Sequence, residues 1–265
     1  MSQNKSEEKN GWVVRGAEKD GQYDSYIESS YKKILDLQIS RCNLKQGDLI
    51  LEVGCATGSF AKRLSANSFR VIGVDIAFRL VCLAPNGAFT AMAADGELLP
   101  FKKNVFDHVC CYDLLHPFHD PDKLIGEMVW ILKPTGSIFI SDLNGINPHT
   151  FLAQTHWSPV RYDYLNTNES ASFPWKLARY FRKYGKKAEI EYSFLERRKK
   201  LHVSDWKYKV FGFITTQIDG FFKRLLAIIL FNYAHIITNL LPLKMKSNII
   251  IAYWLGENNK RLGGK

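Results

Sequence analysis

Short apolar runs alternate with helical segments through the middle of the chain. The β-rich runs cover 49–53, 70–74, 89–93, 108–112 and 137–141, and helical segments lie between them at 58–65, 78–83 and 121–132. This alternation predicts a doubly wound α/β fold, with helices on both faces of a parallel sheet. Because the runs are almost continuously apolar, we expect both faces to be covered. The Pro-Thr-Gly sequence at 134–136 predicts a turn before the fifth strand.

The pattern loosens after residue 150. It predicts a helix over 173–184, a strand over 188–194 and a last strand over 249–254. The chain then divides into an N-terminal tail with a cap helix (1–44), a sheet core (45–145) and a C-terminal part (146–265). We expect disorder only at the two ends, about 1–11 and 256–265.

A long insertion at about 195–247 separates the last two predicted strands, and it is first basic and then strongly apolar. Within 225–241, Asn232, His235 and Asn239 are spaced i, i+3, i+7, so a helix there has one narrow polar stripe. The apolar run is too short and too interrupted for a membrane span. Because basic residues flank it, it is typical of a helix lying on an anionic membrane. Burial against the sheet or in a homodimer is the alternative.

Charge is distributed unevenly along the 265 residues. The chain has 36 Lys and Arg against 26 Asp and Glu. Residues 1–150 hold 16 basic and 18 acidic residues, a balance of −2, so residues 151–265 hold 20 and 8, a balance of +12. A basic half attracts nucleic acid, an anionic lipid surface or a phosphorylated substrate, although a solvated basic face also fits.

The cysteines and the first residues exclude some classes of protein. The five cysteines contain no C-x-x-C pair and no histidine at metal-binding spacing, so we predict neither a metal site nor a disulfide framework. The polar start, MSQNKSEEKN, lacks a signal or transit pattern, which predicts a cytosolic protein.

A turn of small residues follows the first predicted strand. Gly54, Ala56 and Gly58 would let the backbone approach a ligand closely. Their spacing is not the G-x-G-x-x-G phosphate fingerprint, and Glu52 would repel a pyrophosphate there. A carboxylate in this place can instead accept from a cationic amine. The turn therefore favours a cationic nucleoside over a dinucleotide.

Two further acids follow predicted strands. Asp75 ends the second strand, where an acid can accept both hydroxyls of a ribose. Asp95 follows the third strand and can accept from an exocyclic amine such as that of adenine. Helix capping is the alternative role for both side chains.

These motifs resemble, in order, those of class I S-adenosylmethionine-dependent methyltransferases. The segments are EVGCATG, VIGVDIA, AADGELLPF, FDHVCCYDLLH and LKPTGSIFISD, and they span about residues 45–145. The resemblance is to the small-molecule (type 11) branch that includes ubiquinone/menaquinone-type and natural-product O-methyltransferases. One departure is Ala56, where that family usually has glycine.

The resemblance implies S-adenosylmethionine as the cofactor and a Rossmann-like fold. It implies a parallel sixth strand and an antiparallel seventh, with the insertion beside the acceptor pocket. It also implies the cofactor contacts: Glu52 and the Gly54–Ala56–Gly58 turn for the amino-acid part, Asp75 for the ribose, Ile76 against the adenine, Asp95 and the Gly96 backbone at the adenine edge, and Tyr112, just past strand 4, at the reactive end.

A hydroxyl acceptor needs a base, and His116 is the candidate, with Asp142 as its orienting acid. Sugar O-methyltransferases look similar here but carry a second histidine directly after the first, where this chain has Pro117. His119 is an alternative base, and a purely pocket-shaping His116 is also open.

We therefore predict a methyltransferase acting on a hydroxyl of a small-molecule, sugar, polyketide or lipid-linked acceptor. A membrane-associated lipid or quinone methyltransferase, acting at carbon, is the main alternative. An RNA-binding methyltransferase or a nucleic-acid binder that uses the basic half is a third alternative. The marks of base-methylating enzymes are missing, because the chain has neither an N/D-P-P-Y/F loop after strand 4 nor a Pro-Cys nucleophile. Cys110 and Cys111 are instead interpreted as core residues. A cofactor-binding protein without catalysis also stays open.

Overall fold

In the computed structural model the described residues are 25–85, 87–115, 118, 120–148, 150, 172–193, 241–246 and 249–256. The elements in chain order are α1 (Ser25–Cys42), β1 (Leu49–Val53), α2 (Ser59–Ala66), β2 (Arg70–Asp75), α3 (Phe78–Val81), β3 (Thr90–Ala93), β4 (Phe106–Tyr112), α4 (Asp122–Ile131), β5 (Leu132–Leu143), α5 (Pro174–Lys183), β6 (Glu189–Ser193), α6 (Leu243–Lys246) and β7 (Ile249–Leu255).

The strands form a seven-stranded sheet in the order β3-β2-β1-β4-β5-β7-β6. The pairs from β3 to β5 are parallel, and β7 runs antiparallel to both β5 and β6. This confirms the predicted doubly wound fold, with a parallel sixth and an antiparallel seventh strand. The order reverses between β1 and β4, and such a switch point opens a crevice at the carboxyl ends of the strands.

Both faces of the sheet are buried, as the continuous apolar runs predict. Each face of the sheet has its own hydrophobic core, and neighbouring residues of one strand point into different cores. Ile50 packs with α1 and α2, whereas Leu51 packs with α4 and α5. Cys110 and Cys111 divide in the same way and are fully buried, which confirms their interpretation as core residues.

One predicted turn is wrong. Residues 134–136 lie within β5, at a place where the β4–β5 register shifts between Phe106 and His108. The Gly136 carbonyl accepts a hydrogen bond from the Gly256 amide, just past β7, at 2.8 Å, so pairing of β5 with β7 outweighs the local turn preference of Pro-Thr-Gly.

Several predictions lie outside the described residues. These are the disorder at 1–11, most of the insertion at 195–247 with its 225–241 run, and the end beyond Gly256. Among the described residues, no helix is long and apolar enough to cross a membrane.

Candidate functional site

The turn between β1 and α2 has an unusual backbone. Gly54, Ala56 and Gly58 have φ angles of 77°, 48° and 87°, all in the left-handed region. The Gly54 and Cys55 amides donate to the Val74 carbonyl at 2.8 and 3.0 Å, which ties the turn to β2. Glycine adopts such angles without strain, whereas Ala56 does not. The turn therefore presents bare backbone at the carboxyl edge of the sheet.

Neighbouring side chains leave no room for a Cβ at the two glycines. A Cβ on Gly54 would lie 2.6 Å from Cδ1 of Leu114, and one on Gly58 would lie 2.1 Å from Cζ of Phe89. Packing beneath the turn therefore requires the small residues that the sequence analysis singled out.

Asp75 at the end of β2 holds the turn in place. Its Oδ2 accepts from the Ala56 amide at 2.9 Å and its Oδ1 from the Ala77 amide at 2.8 Å. Burial raises the pKa of this carboxyl, and the two amide hydrogen bonds act in the opposite direction. Half-buried Ile76 follows it at the same edge.

Glu52 lies beneath the turn with only 3% of its surface exposed. It accepts a hydrogen bond from the Ala61 backbone, but its Oε2 is buried and lacks a hydrogen-bond partner among the described residues. Burial raises the pKa of this carboxyl well above its usual range, and nearby Asp75 raises it further. An unpaired buried carboxylate is costly, so this position fits a ligand that brings a cationic amine.

The loop after β3 contributes Asp95 and Gly96. Asp95 Oδ1 accepts from the Glu97 amide at 3.0 Å, so the side chain also shapes its own turn. A Cβ on Gly96 would lie 2.8 Å from Cδ1 of Leu124, which shows how closely this loop packs on the core. The predicted acids of β1, β2 and β3 thus share one edge of the sheet.

Tyr112 is the last residue of β4 and not past the strand, which corrects its predicted position. Its buried ring stacks on Phe60 with centroids 3.7 Å apart, and its hydroxyl donates to Gln38 Oε1. The structure therefore gives Tyr112 the surroundings of a core side chain on the α1 and α2 face.

Asp113 directly follows β4 and is exposed, but no sequence motif named it as a candidate site residue. Its φ is 51°, and its amide donates to the Ser141 carbonyl at 2.8 Å. Asp tolerates this conformation better than most residues, which is the only signal that the sequence carries.

Asp142 is 1% exposed near the end of β5, so it does not open onto solvent. Its Oδ1 accepts from the Leu143 amide at 2.7 Å and its Oδ2 from the Ser172 hydroxyl at 3.1 Å. His116, Pro117 and His119 lie outside the described residues. Within the described part, no three His, Cys, Asp or Glu side chains are grouped to hold a metal ion.

Comparisons with known proteins agree with this geometry. A family model described as "Methyltransferase domain" matches residues 51–140. The ubiquinone biosynthesis O-methyltransferase of Coxiella burnetii is 30% identical over 105 residues, which is 37% of this chain and 45% of that protein. The chain thus spans less than half the length of this curated relative.

Solved structures share the fold. The complex between the Haloferax volcanii Trm112 methyltransferase activator and a methyltransferase contains a chain that matches with a TM-score of 0.61 at 14% identity, covering 93% of this chain and 95% of that one. The Haemonchus contortus phosphoethanolamine N-methyltransferase 2, in complex with S-adenosylhomocysteine, matches with a TM-score of 0.58 at 18% identity, covering 85% and 52%. Residues 51–140 thus match a methyltransferase domain, and the strand order is that of the Rossmann-like fold of class I, S-adenosylmethionine-dependent methyltransferases.

Proposed function

We propose that the protein transfers the methyl group of S-adenosylmethionine to a hydroxyl of a small-molecule or lipid-linked acceptor. The observation that carries the cofactor side is the buried, unpaired Oε2 of Glu52 beneath a bare backbone turn. The hydroxyl acceptor is supported by the partial similarity to the Coxiella burnetii O-methyltransferase.

The cofactor residues divide by chemistry. Glu52 would accept from the ammonium group, and the Gly54–Ala56–Gly58 turn would lie against the amino-acid part. Asp75 would accept from the ribose hydroxyls, because each carboxylate oxygen keeps a lone pair beyond its bond to the Ala56 or Ala77 amide.

The adenine would lie between Ile76 and the Asp95–Gly96 loop. Once bound, the cofactor supplies a methyl group already activated on a sulfonium, so the protein mainly has to position the acceptor and exclude water.

A hydroxyl acceptor must lose its proton as the methyl group arrives. His116, four positions after the last residue of β4 in the sequence, is the proposed base. Asp142 would orient it, and its bonds to the Leu143 amide and the Ser172 hydroxyl make it a rigid anchor. A carbon acceptor or a ribose 2′-hydroxyl also loses a proton on methylation, so a His116 variant tests the base while the labelled product identifies the acceptor.

The cofactor step is tested by calorimetric titration with S-adenosylhomocysteine. Glu52→Gln and Asp75→Asn each remove a charged acceptor and should weaken binding about tenfold or more. The matched controls are Glu189→Gln and Asp36→Asn, because both native acids are exposed and lie away from the carboxyl edge. No binding by the wild type, or equal losses in controls and site variants, would refute the cofactor assignment.

The acceptor step is tested with methyl-labelled S-adenosylmethionine. Label should pass to a small-molecule or lipid fraction of a cell extract, and His116→Ala should slow the transfer about a hundredfold or more. Label in RNA would contradict the small-molecule or lipid-linked acceptor, and transfer that survives His116→Ala would contradict His116 as the base. Both outcomes would leave the cofactor assignment intact.

A further inference from the structure

Two described segments meet at the acceptor end of the sheet. Asn144, just past β5, forms a bridge with Ser172, and its Nδ2 donates to the Lys244 carbonyl at 2.9 Å. Each segment carries an exposed apolar side chain, Trp175 at 59% and Leu243 at 54% exposure. A lone exposed leucine is ordinary, but here an exposed tryptophan and an exposed leucine belong to the two segments that Asn144 joins at the carboxyl end of β5.

The surface around them is strongly basic. Residues 172–187 contain six Lys or Arg and no Asp or Glu. Helix α5 buries Leu177, Tyr180 and Phe181, and its exposed side chains include Lys176 and Arg179. Lys244 is exposed beside Leu243. Asp120 and Asp122 lie beside the last turns of α5, where Lys183 pairs with Asp122, so the cationic part of its exposed face is the part that carries Lys176 and Arg179.

We propose that this rim surface, made of Trp175, Lys176, Arg179, Leu243 and Lys244, docks on an anionic lipid bilayer. The proposal rests on the proposed lipid-linked acceptor for its purpose, because docking there would set the crevice beside the membrane.

Charge complementarity and composition favour a bilayer over nucleic acid. Basic residues attract both, but a lipid interface also takes up tryptophan and leucine side chains, which a phosphate backbone does not need. The sequence immediately before α6 is the apolar run 225–241, so the chain enters this surface from its most apolar stretch. Two other exposed apolar side chains, Phe78 and Leu98, follow β2 and β3 and lie beside Asp75 and Asp95. Negative charge at that place would oppose contact with an anionic bilayer.

The test is vesicle co-sedimentation of the full chain at low and high salt. Wild type should bind vesicles of phosphatidylcholine mixed with phosphatidylglycerol, and salt should weaken that binding. Each cation near such a surface contributes about 1 kcal/mol, or about fivefold, so Lys176→Gln with Arg179→Gln should weaken binding about 25-fold. Trp175→Ala should weaken it several-fold.

The matched control is Trp130→Ala. Trp130 is 52% exposed, has the Lys103 ammonium 5.2 Å from its ring, and lies near the end of α4 at the opposite edge of the sheet. It should bind vesicles like wild type. Equal losses from Trp130→Ala and Trp175→Ala would overturn the proposal.

Two other outcomes would also overturn it. One is equal binding to pure phosphatidylcholine. The other is a wild type that binds an RNA oligonucleotide but not vesicles, with the RNA binding lost in the same variants. Titration with S-adenosylhomocysteine in every variant reports folding and separates the two proposals. Without cofactor binding in wild type the proposed function fails, whereas cofactor binding without vesicle binding overturns only the rim surface.

Discussion

Gly58 offers the sharpest test of how the cofactor turn is packed. A Cβ there would lie 2.1 Å from Cζ and 2.5 Å from Cε1 of Phe89, on a backbone with a φ of 87°. The half-buried ring also lies close to the Gly73 backbone, because a Cβ built on Gly73 would be 3.0 Å from its Cε2. Gly58→Ala should therefore combine backbone strain with overpacking.

A matched substitution at Gly47 separates the cost of backbone strain from the cost of overpacking. Gly47 has a φ of 83°, but a Cβ there meets nothing within 4 Å. Left-handed backbone costs alanine about 1–2 kcal/mol, partly offset by about 0.4–1 kcal/mol of lost unfolded-state entropy. Gly47→Ala should thus cost about 1 kcal/mol. Overpacking adds about 1–3 kcal/mol, so Gly58→Ala should cost about 2–4 kcal/mol.

Urea unfolding of both variants measures the difference in free energy of unfolding. Adding Phe89→Leu to Gly58→Ala should recover about 1 kcal/mol or more in a double-mutant cycle, since contacting residues couple. Equal destabilisation by Gly47→Ala and Gly58→Ala, or zero coupling to Phe89, would refute the packing argument.

Three further predictions concern single side chains. Ala56→Gly should raise the free energy of unfolding by about 0.5 kcal/mol in urea, because it relieves a φ of 48°. A thiol reagent should modify only the exposed Cys82 in the native protein and all five cysteines after denaturation. The other four thiols are buried, and burial raises the pKa of Cys42 to about 12, so they should not react before unfolding. Burial also lowers the pKa of His108 below the ordinary 6.5, so the unfolded state takes up the proton first and stability falls as pH drops below 6.5. His108→Asn should reduce that fall in urea midpoint, and an unchanged fall would contradict the assignment.

The strands and the cofactor turn could be predicted because their physical signals are local. A strand covered on both faces must be apolar throughout, and β1 reads LILEV, with Glu52 as its single charge. That exception is the residue whose buried Oε2 lacks a hydrogen-bond partner among the described residues. Gly54 and Gly58 were visible for the same reason, since bare backbone needs residues without side chains.

The failures depend on contacts between distant parts of the chain. The Pro-Thr-Gly turn was wrong because β7, more than a hundred residues later, pairs with Ser137 and extends the strand. The predicted run 108–112 ends at the last residue of β4, so the strand end was located correctly, and it was the resemblance that placed Tyr112 at the reactive end. Its partner Gln38 lies 74 positions away, so its core surroundings had no local signal.

The acids at the carboxyl edge make the strongest link between sequence and ligand. Buried Glu52 lies close enough to half-buried Asp75 that the Asp75 charge raises the pKa of Glu52, and the described partners of both acids are backbone amides. A pyrophosphate would add to that repulsion, whereas a cationic ammonium relieves it, which explains why the phosphate fingerprint is missing. S-Adenosylhomocysteine should therefore raise the unfolding temperature of wild type more than that of Glu52→Gln. This difference between the two proteins should shrink as pH falls, because Glu52 then becomes protonated. An equal rise in both proteins at every pH would mean that the buried carboxylate does not recognise the ligand.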